Sequence, residues 1–535
     1  MIRDEKIWIA NDPQGEPISM VPKMANRHGL VAGATGTGKT VTLKVMAETF
    51  SEMGIPVFIA DVKGDVSSLM DPGVMTDDMA SRIERFGLAP FGFEFTGFPV
   101  TLWDIYGRRG IQLRTTVSEI GPLLLSRILG LNNLQSDILS VVFKIADDND
   151  LLLVDIKDLK SMLNFVNENS DEFTAQYGKI SSASVGVIIR ALVSLESEGG
   201  DIFFGEPALR INDFFNVEGG KGVINILDSS SLINNPRLYS TFLLWLICEL
   251  FENLPEVGDK VKPRMVFFFD EAHLLFNDAP KLLLEKIEQM VKLIRSKGVG
   301  IFFCTQNPKD IPDGVLSQLG NKVQHGLRAY TPNDQKGLKA AASSFRENPD
   351  LNTYETIQTL GTGEAVISFL QEDGVPGMVQ KAFVLPPRSS FKVPSEDRYD
   401  SKVKESPLWM KYHEAYDPDS AYEFLERRGA QLQEEAEKAA KEQEEQKRLE
   451  AEEKEKQKQQ EKEEKEKAKA KEKEEAARKK KGSRLAKTVG NSVTGTVGRE
   501  LGKQLGSSFG SFGKKLGGNL GASLGRGLFS TFFRK

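Results

Sequence analysis

The sequence predicts an α/β fold built on a mainly parallel sheet that is covered on both faces. Four short runs, residues 55–60, 223–227, 265–269 and 299–304, are apolar at nearly every position. Strands of that kind belong to sheets buried on both sides, and buried sheets are usually parallel. Helix-forming stretches separate the runs, as crossovers between parallel strands require. A glycine-rich loop, residues 33–40, follows the apolar Leu30-Val31-Ala32 and leads into a helical pattern at 41–49.

Each element follows in chain order. Residues 1–29 read as a lead-in with turn residues Asp12-Pro13 and Gly15. Next come the loop and its helix, and then the strand at 55–60, which ends in Asp61. Residues 91–103 are aromatic, glycine-rich and alternating, the signature of a hairpin. Residues 115–220 read as a helical insertion, with helices at 122–129, 137–146, 156–167 and 185–197. The later strands end in Asp228, Asp270-Glu271 and Thr305-Gln306. Polar residues at the C-terminal tips of such strands stand where open α/β sheets bind ligands. A strand at 323–329, a helix at 332–342 and a hairpin from 361–370 and 375–385 complete the domain, which Pro386-Pro387 closes. The expected organisation is one domain over 1–394, a linker at 395–430, a charged helical or disordered spacer at 431–481 and a basic glycine-rich tail at 482–535.

Composition bounds the class. The chain has 535 residues, 40% of them hydrophobic, and a formal net charge of -6 that is segregated along its length. In the spacer, Glu and Lys recur three and four residues apart, which favours an isolated charged helix. Few apolar residues form a heptad seam, so a coiled coil is not expected. The tail has nine Lys and Arg against the single acid Glu500, and its glycines recur every fourth residue from Gly498 to Gly510 and from Gly513 to Gly525. Such a tail fits contact with an anionic membrane, a protein, or nucleic acid. Cys248 and Cys304 lie far apart in apolar sequence and read as buried thiols of a reducing compartment. The four histidines lack metal-ligand spacing. No basic-then-apolar leader and no apolar run of about 20 residues occurs, so a cytoplasmic protein, at most peripheral to a membrane, is expected.

The chemistry rests on Gly33-Ala34-Thr35-Gly36-Thr37-Gly38-Lys39-Thr40, the pattern G-x-x-x-x-G-K-T. Glycines let backbone N–H groups wrap an anionic phosphate, and the helix N-terminus adds partial positive charge. Lys39 would reach the β- and γ-phosphates of ATP, and Thr40 would hold Mg²⁺. A plain glycine-rich turn would not need Lys39 and Thr40. Asp270 at the tip of its strand is a candidate for Mg²⁺, and Glu271 for the general base that polarises the attacking water. The competing role for Asp270 is a helix N-cap. Gln306 is a candidate sensor of the γ-phosphate, or else a turn residue before Asn307-Pro308. Arg328 is a candidate for neutralising transition-state charge, or else a surface arginine, and Arg295 at a basic helix end is a second candidate.

Several boxes resemble one family. They are Asn26-Arg27-His28-Gly29-Leu30 before the loop, Asp61-Val62-Lys63-Gly64-Asp65, Asp270-Glu271-Ala272-His273, Thr305-Gln306-Asn307-Pro308, and Arg328 followed by Thr331-Pro332-Asn333-Asp334. In order and spacing they resemble the HerA–FtsK superfamily of ATPase motors, nearest to a HerA-like group once catalogued only as a domain of unknown function. The resemblance implies a RecA-like core, a homohexameric ring, ATP-driven translocation on DNA, and an arginine at the position of Arg328 acting across the subunit interface. Only about 30 residues precede the loop. That is too few for the N-terminal β-barrel through which members of the HerA type dock a nuclease. Basic residues at Lys157, Lys160, Lys179 and Arg190 are candidates for DNA phosphates. A membrane-associated assembly ATPase and a non-hydrolytic scaffold are the other classes considered, and Glu271 speaks against the last.

Overall fold

The computed structural model describes residues 1–258, 260–277 and 281–478. The tail at 482–535, with its membrane or partner contact, lies outside the described residues. The chain forms two compact units, one of residues 1–144, 152–160 and 183–418, the other of 145–151, 161–182 and 419 onward.

The first unit is organised by its strands. They are β1 (Ile2–Arg3), β2 (Lys6–Asn11), β3 (Pro17–Met20), β4 (Gly29–Ala32), β5 (Val57–Asp61), β6 (Val100–Asp104), β7 (Ile111–Gln112), β8 (Val217–Glu218), β9 (Lys221–Gly222), β10 (Ile224–Asp228), β11 (Met265–Phe269), β12 (Val299–Thr305), β13 (Asn321–His325), β14 (Glu364–Ser368) and β15 (Gln380–Val384). All but β8 and β9 join one sheet in the order β1-β2-β15-β14-β13-β4-β12-β11-β5-β10-β6-β7, with β3 on β2. The block from β13 to β7 is parallel. β14, β15 and the N-terminal strands extend it in antiparallel fashion. Every residue of β4, β5, β6, β10, β11 and β12 is buried. The predicted parallel sheet is therefore present, and its apolar strands fill it for the reason given.

The Asn26-Arg27-His28-Gly29 box serves this core. A Cβ on Gly29 would lie 2.3 Å from the Phe302 ring. The Asn321 amide donates to the carbonyls of Met24 (2.9 Å) and His28 (3.0 Å), tying the entry of β4 to β13.

Three expectations change. Residues 91–103 make no hairpin: a turn ends at Phe91, residues 92–98 are irregular, and Val100–Asp104 is a buried parallel strand beside β10. Alternating aromatic residues mimicked a hairpin, while Gly92, Gly97 and Pro99 keep the approach out of the ladder. The lead-in carries more than turn residues: β1–β3 form the far edge of the sheet. Residues 395–418, expected as linker, are packed. Tyr399 and Tyr412 are buried, Arg398 Nε donates to Asp71 (3.0 Å), and Lys157 pairs with Asp417 at 2.8 Å. The helix Glu396–Glu405 has few apolar residues to announce this.

The expected insertion is helical, with Val117–Ile128, Asn133–Asp148, Ile156–Glu168, Ser170–Tyr177 and Ser182–Ser197. It falls between β7 and β10, and β10 nonetheless slots between β5 and β6. In the second unit Phe173 packs edge-on against Phe165 with ring centroids 5.9 Å apart. The charged spacer belongs to one helix, Ala421–Arg478, of 58 residues, which at 1.5 Å per residue extends roughly 87 Å. Pairs such as Glu434–Lys438 at 2.7 Å support it. Among the described residues no single helix is long and apolar enough to cross a membrane.

Candidate active site

The phosphate loop joins β4 to the helix α1 (Lys39–Glu52). Gly33, Gly36 and Gly38 have φ of 154°, 78° and 115°, values that favour glycine. Gly33 has no room for a side chain either, since a Cβ there would meet the Cβ of His325 at 2.5 Å. Neighbouring strands pin the loop. Gly33 N–H donates to Thr305 O (3.2 Å), Ala34 N–H to Gly326 O (3.0 Å), and Gly363 N–H to Thr37 O (3.0 Å).

His325 supports the loop from below, a role that no motif in the sequence signals. Its Nδ1 lies 2.8 Å from Glu364 O, a carbonyl that can only accept, so Nδ1 carries the proton. Nε2 then accepts from the Thr42 hydroxyl at 2.9 Å. Burial lowers the His325 pKa to about 4, which keeps the ring neutral in that tautomer.

Lys39 Nζ donates to Gly33 O (2.6 Å) and Ala34 O (3.1 Å). Burial lowers its pKa, the nearby Lys63 lowers it further, and Glu271 and Asp270 oppose the change. The lysine of the loop and the carboxylates of the strand tip thus act on one another electrostatically, although they lie far apart in sequence.

Asp270 does not cap a helix. The short helix His273–Phe276 begins after Ala272 and has no side-chain cap. Burial raises the Asp270 pKa, and Lys63, 3.9 Å away, pulls it down. Glu271 has φ 47°, a left-handed conformation costing about 1–3 kcal/mol in a residue with a side chain. Its carboxylate faces three donors. His273 Nδ1 lies 3.3 Å from Oε2, near enough for an ion pair but not aligned as a hydrogen bond. Lys63 Nζ is 3.2 Å from Oε1. Gln306 Nε2 is 3.5 Å from Oε1 and 3.4 Å from Oε2. His273 and then Lys63 hold the Glu271 pKa down at about 2, against desolvation.

The two arginines part company. Arg328 is exposed and donates to the carbonyls of Gln358 and Leu360. It lines an open concavity of about 560 Å³ together with Ala34, Thr35, Gln306, Asn307 and Tyr330 of its own chain. Arg295 precedes β12, at the opposite edge of the sheet from these strand tips. Lys157 and Lys160, candidates for DNA contact, are engaged with Asp417 and Glu196, whereas Lys179 and Arg190 are exposed.

The residues fit a magnesium nucleotide. No side chain caps α1, so its first-turn N–H groups are available to phosphate. Among the described residues no group of three or more His, Cys, Asp or Glu could hold a metal ion. A hard divalent cation here would take Thr40, Asp270, phosphate oxygens and water, a set that suits magnesium.

The parallel sheet, the loop on α1 and the acidic tip of β11 define a RecA-like P-loop nucleoside triphosphatase fold. The chain belongs to the family described as Helicase HerA-like C-terminal, whose model it matches over residues 6–516. It is 23% identical over 351 residues to the DNA double-strand break repair helicase HerA of Sulfurisphaera tokodaii, covering 64% of this chain and 62% of that protein. It is 25% identical over 382 residues to the DNA import protein CedB of Sulfolobus acidocaldarius, covering 69% of this chain and 54% of that one. The chain therefore spans less than two thirds of the length of these curated relatives. Among solved structures, the plasmid coupling protein TrwB in complex with a non-hydrolysable ATP analogue superposes with a TM-score of 0.50 at 16% identity, over 74% of this chain and 92% of that chain. That likeness concerns the fold.

Proposed function

We propose that this protein binds ATP with Mg²⁺, hydrolyses it, and uses the energy as one subunit of a homohexameric ring that moves along DNA. One observation carries the reading: Lys39, Asp270, Glu271 and Gln306 converge at the C-terminal edge of a single parallel sheet. The loop N–H groups and Lys39 bind the phosphates, with Lys39 exchanging the carbonyls of Gly33 and Ala34 for phosphate oxygens. Bound magnesium, held by Thr40 and Asp270, would neutralise phosphate charge. Glu271 accepts the proton of the attacking water, and Gln306, in contact with Glu271, orients that water. The resemblance implies that Arg328 acts across the subunit interface; because it lines one concavity with Ala34 and Thr35 of its own chain, we assign it to the nucleotide of that chain instead. Arg295, remote from its own site, is the arginine offered to a neighbour in the ring.

The DNA part rests on kinship with proteins whose names state DNA repair and DNA import. Contact of residues 482–535 with a membrane is the competing use of the ATPase, motivated by their basic, glycine-striped sequence. The deciding experiment is the ATPase rate with and without single- and double-stranded DNA at two salt concentrations. A DNA motor is stimulated, and the stimulation fades with salt as phosphate contacts weaken. A rate indifferent to all nucleic acid, with flotation on anionic vesicles that is lost on deleting the tail, would transfer the function to the membrane reading.

A further inference from the structure

Lys63 carries no assigned part in hydrolysis, yet the fold takes care to place it. β5 and β11 are adjacent parallel strands, in register from Val57 opposite Val266 to Ala60 opposite Phe269. The turn after β5 therefore lies beside the tip of β11. Asp61 builds that turn: Oδ1 accepts from Lys63 N–H (3.1 Å) and Gly64 N–H (2.9 Å), and Oδ2 from Val66 N–H (2.9 Å). Gly64, at φ 76°, lets the chain reverse immediately after the lysine. The buried aspartate thus fixes the lysine backbone, and the side chain crosses to the neighbouring strand.

There its ammonium lies 3.2 Å from Glu271 Oε1 and 3.9 Å from Asp270 Oδ2. The other groups facing the carboxylate are placed differently: Gln306 stands at 3.4–3.5 Å from both oxygens, and His273 takes Oε2 at 3.3 Å, leaving Oε1 to Lys63. The Lys63 side chain is 38% exposed, and an ion pair of that exposure adds little to folding. What it does supply is a fixed direction for one carboxylate oxygen at a residue whose backbone is itself strained.

We propose that Lys63 is the positioning residue for Glu271: it holds Oε1, aims the carboxylate at the phosphate loop, and affects hydrolysis only through that carboxylate. This rests on the reading of Glu271 as the base. The test is a double-mutant cycle on the full-length protein, with steady-state and single-turnover ATP hydrolysis and binding of a fluorescent ATP analogue as readouts. Lys63→Met should lower kcat on the order of 10²-fold, the cost of a base held about an ångström out of place, and leave analogue binding and KM unchanged. Lys63→Arg should restore part of the rate. In a Glu271→Gln background Lys63→Met should have no further effect.

A Lys63→Met variant that turns over normally beside an inactive Glu271→Gln overturns the proposal alone. So does an equal loss of rate in both backgrounds, which would place the lysine on the phosphates. Loss of analogue binding by Lys63→Met also overturns it, because the lysine would then hold the loop or the triphosphate. Normal turnover by Glu271→Gln itself would instead remove the base assignment on which the function stands.

Discussion

His325, hydrogen-bonded to the Glu364 carbonyl and the Thr42 hydroxyl beneath the phosphate loop, makes a prediction with a definite sign. Burial depresses its pKa from 6.5 to about 4, so between those values the unfolded chain binds a proton that the folded chain refuses. The stability due to neutral His325 is fully present above pH 6.5 and is lost as pH falls through that window. Its share of the slope approaches about 1.4 kcal/mol per pH unit. Thermal unfolding of wild type and His325→Asn from pH 7 to pH 4 should converge as pH falls. Parallel curves would assign the histidine no such linkage. The loop lysine and the strand-tip carboxylates are legible in the sequence because their chemistry requires a fixed pattern beside a strand. Their supports are not: Lys63 and His273 stand in recognisable boxes without a role, and His325 carries no pattern of its own.

At the scale of elements, the sheet was readable where strands are apolar throughout, and unreadable at its edges. Strands β1 and β3 have only two and four residues, β2 is bounded by the polar Lys6 and Asn11, and β6 hides behind glycines and aromatic residues. The packing of residues 395–418 is hard to read because polar contacts such as Arg398 to Asp71 and Lys157 to Asp417 hold it, and polar contacts also hold the segment just before it. Lys44 of α1 donates to Ser68 Oγ (2.9 Å) and to the Ser390 carbonyl, and burial lowers its pKa to about 8. Glu48 of the same helix accepts from Arg388 N–H (2.8 Å), Ser389 N–H (3.0 Å) and the Ser389 hydroxyl (2.6 Å). The phosphate-loop helix is thereby tied to residues 388–390. Glu48→Ala leaves those buried donors unpaired and should cost roughly 3 kcal/mol, read as a lower urea midpoint. A midpoint equal to wild type would show that water replaces the carboxylate without loss.

At the scale of the whole molecule, the proposed ring predicts how subunits would share a site. Lys39→Ala should remove nucleotide binding, so a subunit carrying it would contribute only what it lends a neighbour. Mixing Lys39→Ala with Arg295→Ala subunits should recover activity, because intact phosphate loops then receive an arginine from the partner. Mixing Lys39→Ala with Arg328→Ala should recover none, because Arg328 lines the concavity of its own chain. The reverse pattern would exchange the two roles.

In the proposed mechanism one sheet edge both grips the triphosphate and primes the water, and these two tasks can be separated. The direct measurement is ATP binding and turnover on the same preparations of Lys39→Ala and Glu271→Gln. Lys39→Ala should neither bind nor hydrolyse ATP, and Glu271→Gln should bind as wild type does but turn over far more slowly. Glu271→Gln hydrolysing ATP at the wild-type rate would contradict it.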